Sequence, residues 1–206
     1  MPTTTRLFLL RHAEVEARYH KIFGGQIDME LSPRGHEQAA ALANYLQTKS
    51  FDAIYSSPMK RVQLTLAPLL AGRSVAPVIM PGLREVDFGA WTGLGWEEVK
   101  TKFNVSAFEW LHQLERGTIP NAESTKTFRA RVEPCMQQIL RDHPGRRVAV
   151  ACHGGTIRMI LSILLELPLP DMARFEIEYA SLTEVHCRPH KTEVQLLNFA
   201  PWRDLP

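Results

Sequence analysis

Cysteine is scarce in this chain, as are long apolar runs and any excess of one charge sign. The three cysteines, Cys135, Cys152 and Cys187, are odd in number and show no metal-ligand spacing. That argues against a disulfide framework or a zinc site, and the three read as small buried hydrophobes in a reducing setting. The longest apolar runs are too short to span a bilayer. Met1-Pro2-Thr3-Thr4-Thr5 leads straight into a strand-like run with no signal-peptide core, so a cytoplasmic protein with no membrane partner is expected. A formal net charge of +2 argues against a surface built to coat nucleic acid. It still allows a local basic cluster that holds a small anion. No internal repeat, low-complexity tract or linker interrupts the text. A dinucleotide-binding fold would want a glycine-rich turn after its first strand. That position here reads Arg11-His12-Ala13-Glu14.

With 206 residues, one domain over 1–206 is expected. Arg6-Leu7-Phe8-Leu9-Leu10 suits a strand buried on both faces. Ser32-Pro33 supplies an N-cap and a first-turn proline for a helix carrying Ala39, Leu42, Ala43 and Leu46 at helical spacing. Asp52 to Tyr55 reads as a second strand, and Ser57-Pro58 as the start of a second helix. Val75 to Met80 reads as an edge strand, because Pro77 cannot donate to a ladder. From about 91 to 124 the pattern shifts to short amphipathic helices, expected as an elaboration over one end of the sheet. Thr125 to Asp142 forms a longer helix, Arg147 to Ala151 a strand, and Ile157 to Leu164 marks another helix. Ser181 to Cys187 and Glu193 to Phe199 read as an antiparallel pair at a sheet edge. The fold class is therefore α/β, with a mostly parallel central sheet flanked by helices on both faces. In such sheets ligands bind beyond the carboxyl ends of the strands.

Four fragments gather at those ends: Leu10-Arg11-His12-Ala13, Ser56 to Arg61, Arg84 to Gly89, and Cys152-His153-Gly154-Gly155. Taken singly, each has an ordinary explanation as surface pairing, helix start, solvated acid or turn. Together they hold two imidazoles, two guanidiniums and a carboxyl, the inventory for cutting a phosphate ester without a metal. Arg11 and Arg61 offer forked positive charge to a phosphate. Gly154-Gly155 opens a helix whose free N–H groups favour an anion. His12, flanked by arginine, is the candidate nucleophile, because neighbouring cations keep its imidazole neutral. His153 is placed to hydrogen-bond phosphoryl oxygens and to stabilise the transition state through its charge. Glu85 is placed to protonate the leaving oxygen and then activate water. Asp87 is the alternative acid.

These fragments resemble the histidine phosphatase superfamily, the phosphoglycerate mutase-like family. Arg11-His12-Ala13 is similar to its Arg-His-Gly. Gly25 to Gly35 is similar to its Gly-x-x-Asp-x-x-Leu-(Thr/Ser)-x-x-Gly. Ser56 to Arg61, Leu83 to Gly89 with Trp91 and Gly93, Asn121 to Ser124, and Cys152 to Arg158 match further family segments. The resemblance implies that His12 is the phosphorylated nucleophile, with Arg11, Arg61, His153, Gly154 and Gly25 around the phosphate and Glu85 as proton donor. It implies no metal and no cofactor, and its closest flavour is the short α-ribazole phosphatase and broad-specificity phosphatase members.

Three positions depart from the family pattern. Ala13 stands where glycine is usual, Val15 where threonine is frequent, and Arg18 where many members carry a phosphate-touching asparagine. Arg18, with His20 and Lys21, is expected to form a positive rim that helps hold substrate. Trp91, Trp96, Phe108 and Trp110 are expected as core of the helical elaboration rather than pocket lining. The expected function is a small-metabolite phosphomonoester phosphatase. A cofactor-dependent phosphoglycerate mutase and a non-catalytic phosphate- or protein-binding module are the alternatives. The sequence gives no firm oligomeric state; it allows a homodimer, since dimers are common for such enzymes on general grounds.

Overall fold

A computed structural model describes residues 4–205; Met1–Thr3, part of the stretch read as lacking a signal peptide, lie outside them. Six strands form one mixed sheet in the order β3-β2-β4-β1-β5-β6. They are β1 (Thr5–Arg11), β2 (Ala53–Ser56), β3 (Val78–Ile79), β4 (Arg147–Cys152), β5 (Leu182–Arg188) and β6 (Lys191–Phe199). The first four run parallel to one another, β5 runs antiparallel to β1, and β6 runs antiparallel to β5. β3 and β6 are the edges, so β5 lies one place inside, between β1 and β6.

The period of two along a strand explains the two cores. Leu7, Leu9, Val148 and Val150 point to one face and meet α5 (Thr125–Asp142) and α6 (Gly154–Leu165). Phe8, Leu10, Ala149 and Ala151 point to the other and meet α1 (Pro33–Leu46) and α2 (Lys60–Leu70). Apolar residues on both faces are what a sheet covered on both sides requires. α1 starts as read, with Ser32 Oγ accepting from Gly35 N–H at 2.9 Å. α5 continues through Pro134. The segment from 91 onward carries α3 (Trp96–Phe103) and α4 (Trp110–Arg116), whose Val99, Leu111 and Leu114 join the first core.

One start differs from expectation. α2 begins at Lys60, not at Ser57-Pro58. The Lys60 N–H is taken by Asp28 Oδ1 at 3.1 Å, from the loop after β1. The Ser57 hydroxyl is committed elsewhere, to His153.

Register brings the fragments together. Arg11 lies beside Cys152 and Ser56 beside Ala151. His12 N–H bonds to Cys152 O and Ser57 N–H to Ala151 O, at 3.1 and 2.9 Å. The carboxyl ends of β1, β4 and β2 therefore stand in a row. Among the described residues, no helix is long and apolar enough to cross a membrane.

Candidate active site

A cleft of about 700 Å³ opens at that row. Arg11, His12, Gly25, Arg61, Glu85 and Gly154 all line it. His12 is 7% exposed. Its Nδ1 lies 2.8 Å from the carbonyl of Ala13, which can only accept. Nδ1 therefore carries the hydrogen, and Nε2 keeps a free lone pair. Burial, then the charges of Arg61 and Arg11, hold the ring well below its ordinary pKa. The loop beyond it is fixed by Thr65 Oγ1, which accepts from Ala13 N–H at 2.9 Å. Ala13 is not among the residues with positive φ, so this turn does not need the usual glycine.

Arg61 is buried and donates in three directions: to His153 Nδ1 at 3.2 Å, Ile27 O at 2.7 Å and Gly25 O at 2.9 Å. Burial lowers its pKa to about 10, so it stays charged at neutral pH. Gly25, at φ +48°, turns the loop so that its carbonyl meets this guanidinium. Its role in the structure is to hold Arg61. Asp28 at the start of α2 closes the same loop, which accounts for the Gly-x-x-Asp spacing.

His153 lies behind the residues that form the cleft wall. It is fully buried and does not line the cleft. Nδ1 accepts from Arg61, so Nε2 carries the hydrogen and donates to Ser57 Oγ at 2.9 Å. Burial, then Arg61, His12 and Arg11, disfavour its protonation. His153 is thus a neutral ring that fixes Arg61 and packs edge-on to His12, with ring centroids 5.2 Å apart.

The helix start also differs. Glu85 occupies the amino end of α6: Oε2 accepts from Gly155 N–H at 3.0 Å and Oε1 from Thr156 N–H at 3.1 Å. Val86 N–H adds a third bond at 3.0 Å. The acceptor that satisfies these orphan helix donors is the Glu85 carboxyl itself. A Cβ at Gly155 would lie 2.5 Å from Glu85 Oε1 and 3.1 Å from Trp110 Cη2, so a side chain there would displace the carboxyl. Asp87, the alternative acid, is taken up by its own turn, with Oδ1 accepting from Gly89 N–H at 2.9 Å. It does not line the cleft.

Arg18 is not brought to the site. Its side chain is 69% exposed and pairs with Glu16 at 3.0 Å. Its neighbours His20 and Lys21 do line the cleft. Arg158 closes the Cys152 to Arg158 match without being singled out by it. It lines the cleft one helical turn beyond Gly154, donating to Gly154 O at 3.3 Å and Phe175 O at 2.9 Å. Burial, then Arg11, lowers its pKa to about 10. The buried Nε atoms of Arg11 and Arg158 have no partner among the described residues. The signal for Arg158 was its spacing: i+4 from Gly154 places it on the same helix face. The aromatic residues divide, where the sequence leads one to expect core throughout. Trp91 is core, against Phe23 and Phe103. Trp96, Phe108 and Trp110 line the cleft.

Among the described residues, no group of three or more His, Cys, Asp or Glu stands where it could hold a metal ion. The arrangement presents one free imidazole lone pair, three guanidiniums and one carboxyl along one cleft.

Comparison with known proteins gives the family and the fold. The model of the histidine phosphatase superfamily (branch 1) matches residues 7–200. Phosphoserine phosphatase 1 of Hydrogenobacter thermophilus is 29% identical over 193 residues, covering 94% of this chain and 92% of that one. The adenosylcobalamin/α-ribazole phosphatase of Escherichia coli is 25% identical, covering 94% and 95%. The crystal structure of the α-ribazole phosphatase from Shigella flexneri superposes with a TM-score of 0.82 at 24% identity, over 95% and 96% of the two chains, and so shares the fold.

Proposed function

The chain belongs to the histidine phosphatase superfamily, and on that premise we propose the route by which it hydrolyses small phosphomonoesters. The observation that carries it is the His12 tautomer: Nδ1–H is tied to Ala13 O, and Nε2 is left as a lone pair in a cleft lined by Arg11 and Arg61. The phosphoryl group sits against these guanidiniums, whose charge offsets that of the phosphate. His12 Nε2 attacks phosphorus and the ester P–O bond breaks. The leaving oxygen takes the proton of the Glu85 carboxyl. Glu85, now carboxylate, takes a proton from water, and the resulting hydroxide attacks phosphorus. The P–N bond breaks, phosphate departs and His12 is neutral again. His153 acts through Arg61, which it holds by Nδ1.

This reading takes the enzyme as metal-independent, cytoplasmic and, on general grounds, a homodimer. The test is phosphate release from a panel of small phosphomonoesters with chelator present, beside His12→Ala. Release that survives chelator and vanishes in the variant supports the route, as does acid-labile phosphate trapped on the native protein. Release that persists in His12→Ala overturns it. A silent panel followed by turnover in an assay primed with bisphosphoglycerate would instead support the mutase.

A further inference from the structure

We infer that the leaving group of the natural substrate carries a planar apolar ring, seated on an aromatic wall formed by Trp110, Phe88, Trp96 and Phe108. The inference rests on the phosphatase reading above and deepens it. A cleft of about 700 Å³ is several times what a phosphoryl group occupies. The space beyond Arg11, His12 and Arg61 is therefore for the alcohol.

The position of the proton donor sets the direction in which the alcohol lies. The leaving oxygen must face Glu85, within hydrogen-bond reach. Glu85 Oε1 and Trp110 Cη2 crowd the same point beside Gly155. The first atoms beyond the leaving oxygen therefore pass the Trp110 ring. From there the surface continues as rings: Phe88 meets Trp110 at 5.3 Å and 72°, and Phe108 meets Trp96 at 5.0 Å and 68°. Phe88, Trp96, Phe108 and Trp110 all line the cleft. Phe108 is 75% exposed, although its size and apolarity favour cover. Edge-to-face pairs leave ring faces and edges open for a further ring at the spacing such contacts prefer. The charged side chains of the cleft come instead from Lys21 and His20 and from the segment holding Arg174, Glu176 and Glu178. An amino-acid leaving group would need paired charges of both signs beside Trp110. The four rings of that wall carry none.

The experiment compares naphthylmethyl phosphate, glycerol phosphate and O-phosphoserine. All three are available as esters of primary alcohols, so the ring rather than leaving-group acidity dominates the difference. In the native enzyme, kcat/KM for the naphthylmethyl ester should exceed that for either small ester by about tenfold or more. In Phe108→Ala, whose exposed side chain is not needed for folding, that ratio should fall about fivefold or more, through KM for the ring-bearing ester. Native preference for phosphoserine, or an unchanged ratio in Phe108→Ala, overturns the inference while leaving the phosphatase reading intact. No turnover of any ester, p-nitrophenyl phosphate included, overturns both.

Discussion

Arg131 donates from Nη2 to the main-chain carbonyl of Glu85, 3.0 Å away. The same guanidinium reaches Gly82 O at 2.8 Å and Arg84 O at 2.7 Å, and forks onto Glu123 through Nε and Nη2. Glu123 Oε1 in turn accepts from Asp87 N–H at 2.8 Å. One ion pair, from the Asn121–Ser124 turn and α5, thus holds the loop that carries the proposed proton donor. A small displacement of a catalytic group costs about a hundredfold in rate. Arg131→Lys, which keeps the charge but loses the fork, should lower turnover of alkyl phosphates by about 10- to 100-fold. Turnover of p-nitrophenyl phosphate, whose leaving group needs little protonation, should fall much less. Steady-state kinetics on the two esters, read as a ratio, check this. An equal loss on both would mean that Arg131 supports the fold at large.

Glu85 and Asp87 are two residues apart but differently placed. Glu85 lines the cleft at the amino end of α6, whereas Asp87 is spent on the Gly89 N–H. Glu85→Gln should cost about 10²- to 10⁴-fold on alkyl esters, the usual range for loss of a general acid. Asp87→Asn should stay within about threefold, since an amide oxygen still accepts the Gly89 bond. The reverse order in the same assay would make Asp87 the acid.

Arg18 offers a direct comparison of expectation and placement. Its exposed guanidinium pairs with Glu16 and lies over the Tyr19 ring at 4.9 Å. Exposed pairs of this kind contribute about 0–1 kcal/mol. Arg18→Ala should leave kcat and KM within about twofold and the melting temperature nearly unmoved. A large rise in KM would show that the loop brings Arg18 to the substrate.

Ser57 is fully buried with its hydroxyl on His153 Nε2. Ser57→Ala leaves a buried ring N–H without that partner, which costs about 1–3 kcal/mol. The melting temperature should fall accordingly in thermal unfolding. Activity should fall as well, because His153 fixes Arg61. Native-like stability in the variant would mean the His153 ring turns to another partner.

His12 and His153 both have pKa values lowered by burial, below the ordinary 6.5. The unfolded chain therefore takes up these protons first as pH falls. Their contribution to stability is fully present above about pH 6.5 and is lost as pH drops from there toward the folded-state values. Denaturant melts across this range should show stability falling with acid, and less steeply in His12→Ala. The neutral nucleophile also persists below 6.5, so the acid limb that His12 imposes on kcat/KM should lie under that value. An acid limb at or above 6.5 assigned to His12 would contradict the buried, arginine-flanked ring.

Local patterns were enough for much of this. The apolar run of β1 and β4 shows period-two faces because both sides of the sheet are covered, and Ser32-Pro33 caps α1 as its chemistry dictates. Ser57-Pro58 misled because a serine before a proline is a helix start only when its hydroxyl is free. Here His153, far away in sequence, takes it. Trp96, Phe108 and Trp110 have the spacing of helix core, and periodicity marks which face is apolar without saying what covers it.

The sequence by itself determined the fold class and the candidate set: Arg11, His12, Arg61, Glu85 and His153 are readable because strand ends and helix starts have local chemical signatures. Only the tertiary structure decided what each group touches. Parallel register sets His12 beside His153, and Arg61 rather than phosphate occupies His153 Nδ1. Glu85 rather than phosphate occupies the start of α6. Those choices depend on hydrogen bonds and charges between residues tens of positions apart. Burial strengthens such interactions, and no local pattern records them.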